Sequence, residues 1–275
     1  MSTTFPIAET DGPQPFSDSM AMFSRQTRRL RRYPELTVVV LAIPIIFLLL
    51  FVFVFGGTLG AGLNGGAGGG GDRGDYVNYV MPAILLMTIS SIAAGTSTSV
   101  CQDMTTGIIA RFRTMSISPG SVLTGHALAA VLQSLISLVI VVAVGVLVGF
   151  RPEVDLRGWL GAAALLAGMS LAIAWLSVAC GLIARSVETA SNFSLPLVVL
   201  PFLGSGFVPT DSMPSGLAWF AEYQPFTPVM DVLRGLLLGT PLETGAVGLA
   251  IGWCVGLTGL GHIWSRRVYA RPRKI

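Results

Sequence analysis

The chain has 275 residues, 52% of them hydrophobic and 11% charged, with a mean hydropathy of +0.73 and a formal net charge of +3. Soluble domains carry roughly a quarter of their residues as charges, so this composition excludes an ordinary soluble enzyme and indicates an all-α, polytopic membrane protein. Three scattered cysteines, Cys101, Cys180 and Cys254, give neither a disulfide framework nor a thiolate metal site, and His126 and His262 are too far apart for a histidine cluster.

Residues 1–24 mix Pro, Asp, Ser and Thr and read as a flexible cytoplasmic tail. Residues 25–35 form a basic amphipathic segment leading into the membrane, with Arg25, Arg28, Arg29, Arg31 and Arg32. A membrane span directly abuts this cluster, which disfavours nucleic acid as its partner. Residues 36–55 form the first span, interrupted by Pro44; the run starts late for a signal peptide and is expected to be retained. Residues 56–75 make a glycine-rich outer connector. Its GGAGGGGDRGD lacks the Gly-Lys-Ser/Thr ending that places a lysine and a hydroxyl on nucleotide phosphates and magnesium.

The second span, 77–100, is rich in small and hydroxylated residues in its latter half, including Ser90, Ser91, Gly95 and Thr96. Such residues allow close helix contact and hydrogen bonds between helices. A polar interruption follows, CQDMTTGIIARFRTMSIS at 101–118. Met104, Ile108, Phe112 and Met115 recur at helical spacing, which predicts an amphipathic surface helix ended by Pro119-Gly120. Asp103 and Arg111 stand where they would contact a cytoplasmic protein or orient that helix.

Spans three and four follow at 121–150 and 160–184. A fifth, short segment at 192–207 carries Pro196 and Pro201 and predicts a bent helix. Residues 208–240 are cut into short pieces by Pro209, Pro214, Pro225 and Pro228. With Trp219 and its aromatic neighbours, they read as outer half-helices at the interface. Asp231 and Arg234 are three apart and pair along one helix face. The sixth span is 246–264, so residues 36–264 form the spanning domain and 265–275 a basic cytoplasmic tail. Six spans put both termini on one side, and the basic clusters at the two ends put that side in the cytoplasm.

No catalytic constellation emerges: HExxH, paired CxxC and Walker A patterns are absent from the sequence. Two stretches instead carry a family likeness. DMTTGIIARFRTMSISPGSVL, from Asp103, resembles the cytoplasmic segment of ABC-transporter permeases of the daunorubicin-resistance exporter type. GFVPTDSMPSGLAWFAEYQPFTPVMDVLRGLLLG, from Gly206, is similar to their outer segment. The order of spans and loops agrees over nearly the whole chain.

The resemblance implies a six-span ABC type-2 export permease that binds no cofactor itself. It would use ATP and Mg through a separate ABC ATPase, present in two copies, and pair with a second permease, as a homodimer. It implies a coupling helix carried by Asp103, Gly107, Ile108, Arg111, Phe112 and Arg113, with the arginine-rich segment as the amphipathic helix before the membrane. It also implies an outer segment marked by Pro209, Trp219, Pro225, Pro228, Asp231 and Arg234. The path for a hydrophobic or amphiphilic cargo would run at the interface between permeases, near Ser90, Ser91 and Thr96 on span two and Asn192 and Phe193 on span five. The expected setting is the inner (plasma) membrane, in contact with lipid. A lipid, glycolipid or polysaccharide cargo fits the same architecture; a secondary transporter and a passive scaffold are the remaining readings.

Overall fold

The computed structural model describes residues 14–57, 73–108, 118, 120–152, 154–207 and 213–270. Every regular element among them is helical. The elements are α1 (Pro15–Arg32), α2 (Pro34–Leu50, continued by a π-helical turn, Phe51–Phe55), α3 (Arg73–Thr105), α4 (Ser121–Val148) and α5 (Leu156–Ile183). They continue with α6 (Val187–Val199, tightening into a 3-10 turn, Leu200–Leu203), α7 (Ser215–Tyr223), α8 (Phe226–Leu238) and α9 (Thr244–Ala270).

Local chemistry sets many of these boundaries. Pro15 occupies the first turn of α1, where no amide hydrogen is needed, and Asp18 and Arg29, Arg31 and Arg32 complement the helix dipole at its two ends. Asp155 caps α5 by accepting from Gly158 N at 3.1 Å, and Ser186 caps α6 by accepting from Thr189 N at 3.2 Å. Gly149 ends α4 at φ 121°, and Gly239 ends α8 in the left-handed region.

Five helices are long and apolar enough to cross a membrane: residues 37–55, 74–105, 121–148, 156–183 and 244–270. The expected fifth span, 192–207, is a shorter apolar helix, Val187–Leu203. Its 13 α-helical residues give about 20 Å, and its four 3-10 residues add about 8 Å. The sum approaches the ~30 Å hydrocarbon thickness. The expected bend falls where α-helix gives way to 3-10 turn, around Leu200-Pro201.

The helix α3 is central, packed against α2, α4, α5, α6 and α8. The α5 helix is similarly enclosed, while α2, α4 and α9 keep apolar outer faces. Small residues bring backbones together. A Cβ at Gly181 of α5 would lie 2.5 Å from Ser97 O on α3, and one at Gly261 of α9 would lie 2.9 Å from the Leu176 nitrogen on α5. An aromatic cluster closes one end, where Phe51 meets Phe207 at 4.7 Å and Phe47 meets Phe202 at 5.2 Å between ring centroids.

Two boundaries differ from those expected. The stretch 15–24, which composition marks as tail, is helical, because Met22 buries against α4 and gives the segment a tertiary partner. The second span does not stop at Val100. Its helix runs through Thr105 before a turn at Thr106-Gly107, with Gly107 at φ 72°. Residues 101–105 are therefore the end of a membrane helix rather than the start of a separate surface helix. Arg111, Phe112, Arg113 and Pro209 lie outside the described residues.

Candidate functional site

Two polar clusters clasp α3, one at Tyr79 and one at Asp103. The 24 residues between them correspond to about 36 Å of helix, slightly more than the ~30 Å apolar core of a bilayer. The clusters therefore sit at opposite membrane interfaces.

At the foot of α3, Asp103 is 3% exposed and faces α1 and α4. Arg25 Nη2 of α1 donates to both of its carboxylate oxygens at 2.8 Å. His126 Nε2 of α4 lies 3.1 Å from Asp103 Oδ2. An ionised carboxylate only accepts, so this contact requires the proton on Nε2. Gln26 Nε2 is buried beside both, 3.0 Å from the same histidine nitrogen and 3.4 Å from Asp103 Oδ2; beside a protonated His126 Nε2 it donates to the carboxylate and not to the histidine. A buried carboxylate without partners is costly, so this cluster fixes where α1 lies. Close packing reinforces it: a Cβ at Gly125 of α4 would fall 2.5 Å from Met22 Cβ.

One turn further along α1, Arg29 Nη1 donates to Ser99 Oγ at 2.8 Å and Nη2 to Gln102 Oε1 at 2.6 Å. Both acceptors are neutral. A cavity of about 290 Å³ opens beside this guanidinium between α1, α2, α3 and α4. Gln26, Arg29 and Gln102 line it beside the Asp103 cluster, and Val39, Val40 and Ile92 make its more apolar end, which Thr96 and Gln133 also border.

At the other end, Ser205 holds the turn after α6. Tyr79 Oη donates to Ser205 O at 2.7 Å, and Ser205 Oγ donates to Asp231 Oδ1 at 3.0 Å. The expected Asp231–Arg234 pair forms at 2.9 Å, and the Arg234 guanidinium stacks 4.3 Å over the Tyr79 ring.

The residues singled out in the sequence divide unevenly between these sites. Asp103 turns inward to α1 and α4 instead of presenting its carboxylate to a soluble partner, so any effect on such a partner passes through the helices it joins. Gly107 and Ile108 lie beyond it at the turn. Arg25, Arg28, Arg29 and Arg32 border one basic recess, while Arg31 is absent from its border. The five path candidates do not converge in the single chain. Ser90 and Thr96 are buried, Ser91 is half-buried, and Asn192 and Phe193 are exposed on α6; of the five, Thr96 alone lines the cavity. Trp219 is exposed beside Tyr223, Pro225 precedes α8, and Pro228 is buried in its first turn. Gln26, Tyr79 and Ser205 were not anticipated, and His126 was noted without its carboxylate. Their partners lie far away in sequence, and no local pattern marks them.

Long apolar helices bound by polar clusters at both interfaces define a polytopic helical membrane protein. The ABC-2 type transporter family model matches residues 18–238, and the chain belongs to that family. It is 26% identical over 247 residues to the daunorubicin resistance ABC transporter permease protein DrrB1 of Streptomyces coeruleorubidus, covering 89% of this chain and 83% of that one. It is 23% identical over 235 residues to the probable doxorubicin resistance ABC transporter permease protein DrrC of Mycobacterium tuberculosis, covering 84% and 80%. The chain is thus an ABC permease of the exporter kind.

Proposed function

We propose that this permease exports a hydrophobic or amphiphilic small molecule of the anthracycline drug type, driven by a separate ABC ATPase. Two ATPase copies would serve two copies of this chain, with ATP and Mg held by the ATPase and no catalytic step performed by the permease. The setting would be the plasma membrane, with both termini in the cytoplasm, as the basic ends favour. The names of its relatives support the drug class.

The observation that carries the coupling role is the attachment of α1 to the foot of α3 through Arg25–Asp103 and Arg29–Ser99. A rearrangement pressed on α1 or on the Thr106-Gly107 turn by ATPase closure would reach α3, which touches five other helices. Differential contact at that foot would favour one arrangement of the bundle over another, a population shift rather than a chemical step.

The test is co-reconstitution with an ABC ATPase that copurifies with it, in inverted vesicles supplied with doxorubicin. Drug accumulation should require ATP, and the permease should stimulate ATP turnover. Accumulation driven by a proton gradient without ATP would instead indicate a secondary transporter. ATP-dependent movement of lipid, glycolipid or polysaccharide, with doxorubicin inert, would replace the cargo assignment alone.

A further inference from the structure

The cavity beside Arg29 has an unusual charge balance. The ion pairs among the described residues are Arg25–Asp103, His126–Asp103 and Asp231–Arg234. Asp103 is therefore already occupied, and Arg28, Arg29 and Arg32 have no carboxylate partner among the described residues. Arg29 differs from its neighbours in being held: two neutral acceptors fix its guanidinium without cancelling its charge. Among the described residues, no carboxylate lines the cavity. Arg28 and Arg32 extend the positive field through the adjoining recess, which Arg29 also borders.

The apolar end of the cavity has its own direction. Val39 lines it while remaining 64% exposed on the outer face of α2. The cavity therefore communicates with the side of the bundle that meets hydrocarbon. Its polar end lies at the interface fixed by the Asp103 cluster, the depth of lipid headgroups. A fixed guanidinium suits a phosphate oxygen pair, and the Val39, Val40 and Ile92 wall suits an alkyl chain. A cationic amphiphile would meet Arg29 unshielded.

We propose that this cavity binds an anionic phospholipid from the adjoining leaflet, with its phosphate on Arg29, Arg28 and Arg32 and part of one acyl chain along Val39, Val40 and Ile92. One path candidate, Thr96, borders the same cavity, but the lipid assignment does not depend on the drug assignment. It makes lipid charge a determinant of how firmly α1 is seated, because the same arginine joins the lipid to Ser99 and Gln102 of α3.

The experiment is lipid titration of the full-length, delipidated protein in a neutral maltoside, read by native mass spectrometry. Phosphatidylglycerol should bind at least tenfold more tightly than phosphatidylcholine. R29Q should weaken phosphatidylglycerol roughly fivefold, the equivalent of about 1 kcal/mol per arginine at a headgroup surface, and weaken phosphatidylcholine, whose phosphate is offset by its own ammonium, clearly less. R29K should recover most of the loss. V39W, on an exposed position, should reduce phosphatidylglycerol binding with the arginines intact. Equal binding of the two lipids, or an equal loss of both in R29Q, would overturn the proposal. So would displacement by millimolar inorganic phosphate, which marks a headgroup-only anion site, or binding of dodecyltrimethylammonium as tight as phosphatidylglycerol.

Discussion

Truncating Arg25 to alanine isolates the Asp103 carboxylate in the joint between α1, α3 and α4. Breaking a buried ion pair from one side costs about 3–5 kcal/mol. Two features reduce that figure here. The Arg25 side chain is 34% exposed, so solvent already screens part of the interaction. His126 also remains at 3.1 Å to hold one carboxylate oxygen. About 2 kcal/mol is the resulting expectation. In a protein of this size, each 1 kcal/mol moves Tm by about 2–4 °C, so R25A should melt about 4–8 °C lower in detergent. Adding Asp103→Asn removes the buried charge and leaves an amide that Gln26 and His126 can still bond. The double variant should therefore recover at least half of the loss, giving a non-additive cycle. Additive losses in the double variant, or an R25A midpoint within 1 °C of the parent, would refute the assignment of Asp103 as the anchor of α1.

Further outcomes follow from close approaches and from the far cluster. Gly125→Ala should push α1 off α4 through Met22 and cost about 1–3 kcal/mol, whereas Gly95→Ala, with nothing within 4 Å of the added carbon, should leave the melting point within 1 °C. Gly181→Ala should be as damaging as Gly125→Ala, since the new methyl meets the Ser97 carbonyl of α3; thermal melting in the same detergent measures all three. Arg234→Gln removes both the Asp231 pair and the stack on Tyr79 and should lower stability by about 1–2 kcal/mol, read as loss of trypsin resistance around α8. A fluorescent protein fused after Ile275 should fold and emit, as a cytoplasmic C-terminus requires; a dark fusion with an active alkaline phosphatase fusion would reverse the orientation.

The spans were legible because each is an apolar run broken by proline, glycine or charge, and hydrocarbon thickness gives such runs a known length. The Asp231–Arg234 pair was legible because i,i+3 spacing brings side chains together on any helix. The partners of Asp103 were not legible, for an opposite reason. The polar residues after Val100 looked like the start of something new, whereas a helix backbone passes from lipid to water without interruption and only its side chains change. Its partners Arg25 and His126 stand 78 and 23 residues away, and no periodicity links them. The early start of α1 was partly visible in Pro15 and Asp18, which make an ordinary helix beginning; the mixed composition of the tail outweighed them. The cavity has no sequence signal, because four helices contribute to it and each supplies only a few side chains.

The distance between the two clusters on α3 has a mechanical consequence. A rod of about 36 Å pivoting at its Tyr79 end sweeps its far tip by about 3 Å for each 5° of tilt. That arc is as long as the 2.8 Å bonds by which Arg25 grips Asp103. A tilt of only a few degrees must therefore either drag α1 along as a passenger or release it. The arginine joint acts as a clutch, setting the angle beyond which movement of the rod and movement of the basic helix become separate events.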